Sequence, residues 1–231
     1  MVMKVAVLFS GGKDSTMALG YALKNHWQVE ALISVKPKNT EAYLWHYAAV
    51  EWTKLQAEAM NIPRVLVNCE AIGPEAEAKE LEKVLKNMKI DAIVLGGVGL
   101  QRTQIKSIEK IAKKFGINVI IPYQNYSSEE LLKEEIREGL KPIVVSVAVD
   151  GLGPEWLGRE LNENSVNEII ELGRKFGFDP LFEGGHADTF VLDAPFFKKR
   201  IQLIKTEIIW DKKTSSGYLE IKDAILVDKR F

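Results

Sequence analysis

Six consecutive residues near the amino terminus have the side chains and backbone that bind phosphate: Ser10, Gly11, Gly12, Lys13, Asp14 and Ser15. The glycines let the chain turn and let an oxyanion approach backbone N–H groups, and both serine hydroxyls can donate hydrogen bonds to phosphate oxygens. Lys13 supplies a positive charge that we expect to be mobile, and Asp14 can bind Mg²⁺ directly or through water. The segment therefore predicts a site for a phosphate-containing ligand.

The residues on either side of this segment predict the two elements that hold it. Residues 4–9 form a short apolar run typical of a buried strand, and Met17, Leu19 and Leu23 follow with helical spacing. We expect Asp14 or Ser15 to cap that helix. A helix amino terminus presents unpaired N–H groups and the positive end of its dipole, which is the environment that a phosphate group needs.

The first half of the chain alternates predicted strands with predicted helices. The strands are predicted at residues 4–9, 28–35, 64–68, 91–95 and 117–121, and the helices that follow the first one at residues 41–60, 74–88 and 105–115. Continuous apolar strands joined by helices indicate an α/β fold with a five-stranded parallel sheet covered on both faces. We predict that residues 1–124 form this domain and bind the phosphate ligand at the carboxyl ends of the strands.

The second half has a different pattern, which predicts a smaller α+β domain over residues 125–231. Its helices are predicted at residues 127–138 and 165–176, and its strands at residues 143–149, 189–193, 201–210 and 218–227, with a turn at 215–217. We expect this domain to close over the first and to carry the pocket for a second substrate.

The composition excludes several classes of protein. The 231 residues carry a formal net charge of −1 and are 46% hydrophobic, which is typical of a folded protein and argues against bulk nucleic-acid binding. No run reaches the ~20 apolar residues of a membrane helix, so we expect no membrane association. The amino terminus has no signal-peptide pattern, so we expect a cytoplasmic protein. A single cysteine, Cys69, excludes an internal disulfide and a multi-cysteine zinc site.

The glycine-rich segment differs from two common phosphate-binding patterns. It lacks the spacing of a Walker A loop and the third glycine of the dinucleotide fingerprint. It resembles the signature of the ATP pyrophosphatases, or PP-loop enzymes, which implies cleavage of ATP to AMP and pyrophosphate as a substrate oxygen is adenylated. Cys69 has no obvious His partner and no second cysteine, so neither a built-in glutaminase nor paired-cysteine thiolation is predicted, and free ammonia is the simplest nitrogen donor.

Over nearly its whole length the chain resembles the diphthine–ammonia ligase family. Three shorter matches are the stretch 41–46, which ends in His46, the pair Gln101-Arg102, and Gly151-Leu152 followed by residues 156–159. The most specific match is Glu183-Gly184-Gly185-His186-Ala187-Asp188-Thr189, followed by residues 190–195.

The resemblance implies a set of site residues and ligands. It assigns catalysis to Lys13, Glu183, Asp188 and His46, metal binding to Asp14, nucleotide binding to residues 10–15 with Gly97 and Arg102, and substrate binding to Gly184, Gly185, His186 and Thr189. It implies ATP and Mg²⁺ as cofactors, with ammonia and the diphthine side chain of elongation factor 2 as substrates. It also allows for a homodimer.

The chain departs from the family pattern at five positions. His186 and Asp188 replace glutamates, Ala187 replaces an aromatic residue, Leu100 replaces a tyrosine and Tyr123 replaces a tryptophan. Because these positions bear on the acceptor substrate, two alternatives stay open. One is adenylation of another acid, such as a cobalamin-salvage intermediate, and the other is an ATP- or AMP-binding module without catalysis. His46 can equally be a structural histidine, and His186 a polar loop residue.

Overall fold

The computed structural model describes residues 2–38, 49–70, 74–98 and 102–229, without the side chains of residues 74, 102 and 104. The first sheet consists of β1 (Lys4–Leu8), β2 (Gln28–Pro37), β3 (Arg64–Cys69), β4 (Ala92–Val94) and β5 (Asn118–Ile120). All neighbouring strands are parallel, in the order β3-β2-β1-β4-β5. The predicted five-stranded parallel sheet and the α/β class are therefore confirmed.

The helices of this half are α1 (Lys13–Lys24), α2 (Thr53–Met60), α3 (Pro74–Lys79), α4 (Glu82–Leu85) and α5 (Arg102–Lys114). The prediction of a single helix at 41–60 is wrong for residues 49–52. Ala49 has a left-handed φ of 60°, and a 3-10 helix, Val50–Trp52, precedes α2. Residues 41–48 lie outside the described residues.

The helix predicted at 74–88 is two short helices instead of one. Between α3 and α4 the backbone N–H groups bond three residues back, as in Leu81 to Ala78 (3.1 Å) and Lys83 to Glu80 (3.3 Å). These tighter turns interrupt the α-helical hydrogen-bond pattern.

The second sheet consists of β6 (Lys141–Val147), β7 (Ala187–Asp193), β8 (Lys199–Asp211) and β9 (Ser216–Asp228). It is antiparallel, in the order β7-β6-β9-β8. Two helices precede β6 and β7, namely α6 (Ser128–Arg137), which begins at a capping box formed by Ser127 and Glu130, and α7 (Glu163–Phe176). Strand β9 begins one residue inside the turn predicted at 215–217. The predicted α+β character of this half is confirmed, whereas the boundary at 124/125 stays a prediction.

The two sheets share one hydrophobic core. Val7 and Leu32 from the first sheet belong to the same buried cluster as Phe190 from β7 and the fully buried Trp156. A second cluster, which includes Ile33, Ile93 and Ile108, covers the other face of the parallel sheet. Within the described part of the chain, no helix is long and apolar enough to cross a membrane.

Candidate active site

The glycine-rich segment lies where the parallel sheet changes direction. Strand β1 is followed by β2 on one side and lies beside β4 on the other, so the loops that leave β1 and β4 meet at the carboxyl ends of adjacent strands. Open α/β sheets bind ligands at this switch point. Gly96, just after β4, packs so tightly against the first turn of α1 that a Cβ there would lie 2.5 Å from the carbonyl carbon of Asp14. The two loops therefore form one rigid unit.

The start of α1 is open to an anion. Its N-cap residue is Gly12, which makes no side-chain capping bond, although the first N–H of the helix, that of Lys13, donates to Thr189 Oγ1 at 3.1 Å. The prediction that Asp14 or Ser15 caps this helix is wrong, because both lie inside the helix and the Ser15 hydroxyl donates to the Gly12 carbonyl at 3.1 Å. The Ser10 and Ser15 hydroxyls lie 3.2 Å apart at the mouth of the loop. Uncapped N–H groups at a helix start are suited to binding phosphate.

The Lys13 side chain is buried and anchored, not mobile as expected from the sequence. It is 1% exposed, and its Nζ donates to Asp14 Oδ2 and to the Leu181 carbonyl, both at 2.8 Å. Burial alone would lower the pKa of Lys13, but the carboxylates of Asp14 and Glu135 outweigh it and raise that pKa above its ordinary value. Lys13 is therefore a fixed positive charge behind the loop.

A buried acid, Glu135 on α6, completes this charge cluster and was missed from the sequence. Its side chain is fully buried, and Oε2 lies 3.8 Å from Lys13 Nζ. Its carboxyl group also lies beside that of Asp14. Burial raises the pKa of Glu135 well above its usual range, and Lys13 only partly opposes this. The sequence signal that could have revealed its burial is the helical spacing of Glu135 from Leu131 and Leu132, which places all three on the buried face of α6.

Strand β7 of the second sheet lies directly on the glycine-rich loop. The Lys13 backbone N–H donates to Thr189 Oγ1 at 3.1 Å, and the Val191 N–H donates to the Gly11 carbonyl at 2.9 Å. Thr189, expected at the substrate, thus supports the loop itself. The two halves of the chain build this site together.

Gln56 on α2 fixes the same junction and was also missed. Its side-chain Nε2 donates to the Gly11 carbonyl at 2.9 Å and to the Val191 carbonyl at 2.8 Å, and the residue is fully buried. The only sequence signal was an amide at a position that shares the buried side of the helix with Ala57 and Met60.

Glu183 approaches the loop after β4 from the second half of the chain. Gly97 has a left-handed φ of +80°, and a Cβ there would lie 2.7 Å from Glu183 Oε1. The charge of Glu183 also contributes to the pKa values of Lys13 and Glu135. The structure therefore brings Glu183, Gly97 and Lys13 into one cluster, and their roles in catalysis and nucleotide binding stay predictions.

The remaining predicted residues of this segment lie further from the loop. Gly184 and Gly185 are exposed, and the His186 ring packs edge-on against Phe178, 6.1 Å between centroids. Asp188 accepts a hydrogen bond from the Ser146 hydroxyl at 2.6 Å. Because successive strand residues point to opposite faces, Asp188 faces away from the side of β7 on which Thr189 meets the loop.

Four positions singled out in the sequence cannot be placed in this cluster. His46 lies outside the described residues, as do Leu100 and Gln101. Arg102 is the first residue of α5, at the end of the sheet where the glycine-rich loop lies, but its side chain is outside the description.

Asp14 fits the usual mode of Mg²⁺ binding beside a nucleotide. Its Oδ2 accepts a hydrogen bond from Lys13, and its Oδ1 is buried, with the carboxyl group of Glu135 beside it. Over those parts, no group of three or more His, Cys, Asp or Glu residues is placed to hold a metal. Mg²⁺ normally takes one or two protein carboxylates together with substrate phosphates and water, so a single carboxylate suits it.

Two of the departures from the family pattern concern buried positions. Tyr123 packs between Tyr21 and Tyr126, with ring centroids 5.9 and 5.3 Å away, and burial raises its pKa above the ordinary range. Ala187, 5% exposed, begins β7. The exchange at Tyr123 therefore changes an aromatic cluster in the core. Cys69 is also buried.

A parallel sheet with a glycine-rich loop and a helix start at its switch point defines a nucleotide-binding α/β protein. Two family models refine this class: the diphthamide synthase N-terminal domain matches residues 3–119, and the diphthamide synthase C-terminal domain matches residues 127–227. The chain belongs to the diphthamide synthase family, and it is an ATP-dependent ligase.

Curated relatives agree with this membership over the whole chain. The diphthine–ammonia ligases of Mus musculus and Homo sapiens are 29% and 27% identical to it, and each match covers 98% of this chain and 94% of the relative. The diphthine–ammonia ligase of Schizosaccharomyces pombe is 28% identical over 96% of this chain, which corresponds to 40% of that longer protein.

Proposed function

We propose that this protein is a diphthine–ammonia ligase, which adenylates the carboxylate of diphthine on elongation factor 2 and converts it to the amide with ammonia. The observation that carries the proposal is the meeting of the glycine-rich loop with the segment 183–189. Thr189 contacts the Lys13 backbone, and Glu183 lies against Gly97. A site for ATP phosphates and an acidic group suited to a second reactant are thus adjacent.

In the first step, a carboxylate oxygen of the acceptor attacks the α-phosphorus of ATP. An acyl–phosphate bond forms, the bond to the bridging oxygen breaks, and pyrophosphate leaves with its electron pair. Backbone N–H groups in the first turn of α1 bind the phosphates, and the fixed charge of Lys13 balances the negative charge that develops. Mg²⁺ on Asp14 would neutralise further phosphate charge.

In the second step, ammonia attacks the acyl carbon and AMP leaves. The nitrogen must lose one proton, and we propose Glu183 as the group that accepts it, since it is the carboxylate beside Gly97 at the mouth of the loop. The only thiol of the chain, Cys69, is buried in β3, which supports free ammonia over glutamine as the nitrogen donor.

The decisive experiment supplies ATP, Mg²⁺, ammonium and elongation factor 2 that carries diphthine. We expect AMP and pyrophosphate in equal amounts and conversion of the acceptor carboxyl to an amide, detected by mass spectrometry of the modified peptide. Elongation factor 2 without diphthine is the matched control and should give no amide. Release of ADP and phosphate would refute adenylation.

The exchanges at His186 and Ala187 in the segment 183–189 support an alternative, in which the acceptor is an acid other than diphthine. For a cobalamin-salvage acid, the same assay should give AMP-linked amidation of that acid and none of diphthine. ATP binding without turnover of either acceptor would instead support a non-catalytic module.

A further inference from the structure

Strand β8 forms one edge of the second sheet and is unusually exposed for its length. It contains 13 residues, and all six residues from 204 to 209 are exposed. Ile204 and Ile208 are 50% and 47% exposed. Over the ranges that the structure describes, no strand pairs with the outer side of β8. A long edge strand with exposed apolar side chains is a common site of strand-to-strand association.

A shallow groove follows the same strand. Ile204, Thr206 and Ile208 line it from β8, and the turn Leu157-Gly158 and Leu219 line it from the body of the sheet. Its volume is about 450 Å³. Leu203 and Lys205 also line it, and the register of β8 against β9 shifts between Leu203 and Lys205 and between Lys205 and Thr206, so the strand is locally irregular there.

The sequence of this strand is complementary to itself when it runs in the opposite direction. Residues 203–209 read Leu-Ile-Lys-Thr-Glu-Ile-Ile, with Thr206 at the centre. An antiparallel copy centred on Thr206 places Ile204 opposite Ile208 and Leu203 opposite Ile209. It also places Lys205 opposite Glu207, and the symmetry repeats this pair of opposite charges. Directly opposed side chains of antiparallel strands interact, and opposite charges there are favourable.

We propose that two copies of this chain associate by antiparallel pairing of their β8 strands about a twofold axis at Thr206. The two four-stranded sheets then join into one continuous sheet, and each copy covers the exposed isoleucines of the other. Such a contact uses the same surface on both copies and closes on itself, as in most homodimers. Glu207 already pairs with Lys222 of its own chain, so Lys205 of the second copy extends an existing charge network.

The first test measures mass in solution by light scattering at micromolar concentration. We expect about twice the 26.0 kDa of the chain. Lys205→Glu and Glu207→Lys each place like charges across the axis twice, so each should weaken association at least tenfold, and the double variant should restore it. Glu220→Lys, an exposed charge reversal one strand further in, is the matched control and should remain dimeric. Thermal unfolding of each variant excludes loss of fold, which matters because Lys205 also faces Asp223 within the chain.

The second test fixes the register with a new disulfide. Opposed residues across an antiparallel pair lie ~4.5–5.5 Å apart between Cα atoms, within reach of a disulfide. Thr206→Cys should therefore form a covalent dimer on mild oxidation. Gln202→Cys, exposed on the same strand, would lie about 26 Å from its equivalent and should not. The native Cys69 is 2% exposed and does not compete. A monomer at high concentration, an unrestored double variant, or equal cross-linking at both positions would overturn the proposal.

Discussion

Replacing Gly97 with alanine separates the role of Glu183 from the stability of the fold. Gly97 has φ +80°, and the new Cβ would lie 2.7 Å from Glu183 Oε1. An alanine in the left-handed region costs about 1–2 kcal/mol of unfolding free energy. Gly177 supplies a matched control, since it has the same φ of +80° and no atom within 4 Å of an added Cβ. Both variants should lose similar stability in urea denaturation.

The two variants should differ in activity. Ordinary contact begins at 3.4 Å, so Glu183 Oε1 must retreat by about 0.7 Å from the new methyl group in Gly97→Ala. A misplacement of ~1 Å at a reacting group can reduce the rate a hundredfold, so we expect turnover to fall by about tenfold to a hundredfold. Gly177→Ala should keep the turnover of the wild-type enzyme. The assay is pyrophosphate release with ATP, ammonium and the acceptor.

A double variant distinguishes this cause from a direct clash of the new methyl group with the nucleotide. If Gly97 acts through Glu183, adding Gly97→Ala to a Glu183→Ala enzyme should cause no further loss, because the displaced side chain is already absent. A full additional loss would refute the reasoning, as would wild-type turnover in Gly97→Ala itself.

Further variants test the support of the loop and the buried aromatic cluster at Tyr123. Lys13→Met should abolish turnover and lower the free energy of unfolding by about 3 kcal/mol, because it leaves the buried carboxyl group of Glu135 without its cation. Adding Glu135→Gln should recover part of that stability in urea denaturation but no turnover, and recovered turnover would exclude a catalytic role for Lys13. Gln56→Leu should cost about 1–3 kcal/mol in the same measurement, because the Val191 carbonyl loses its donor; an unchanged unfolding midpoint would contradict the bridging role. Since the pKa of Tyr123 is raised in the folded state, only the unfolded chain releases this proton near pH 10, so stability should fall as pH rises above about 10. Tyr123→Phe should reduce that slope in denaturation curves at pH 9 and 11, and an identical slope would show that Tyr123 ionises normally.

The parts of the site that are local in sequence could be predicted from it. Residues 10–15 combine glycines, hydroxyls and charge in one turn between a strand and a helix, and the structure places them at the carboxyl end of β1. Their chemistry depends on neighbours a few residues away. The alternation of apolar runs likewise predicted all five strands of the first sheet.

The residues that support the loop could not be predicted in the same way. Gln56 contacts Val191 across 135 residues of sequence, and Lys13 contacts Glu135 across more than a hundred. In the sequence each is an ordinary polar residue of a short helix. Its role exists only after the second sheet packs on the first. The buried state of Lys13 has the same origin, since the Leu181 carbonyl that holds its ammonium group belongs to the second half.

The hydrogen bond between the Lys13 backbone N–H and the Thr189 hydroxyl also bears on the order in which parts of the chain fold during synthesis. These residues are 176 positions apart, and the neighbouring contact joins Gly11 to Val191. Domains generally fold from the amino terminus while the ribosome is still working. The parallel sheet can therefore assemble early, but its glycine-rich loop lacks two of its hydrogen bonds until β7 emerges. These two hydrogen bonds of the loop therefore form only after residues 187–193 have been synthesised.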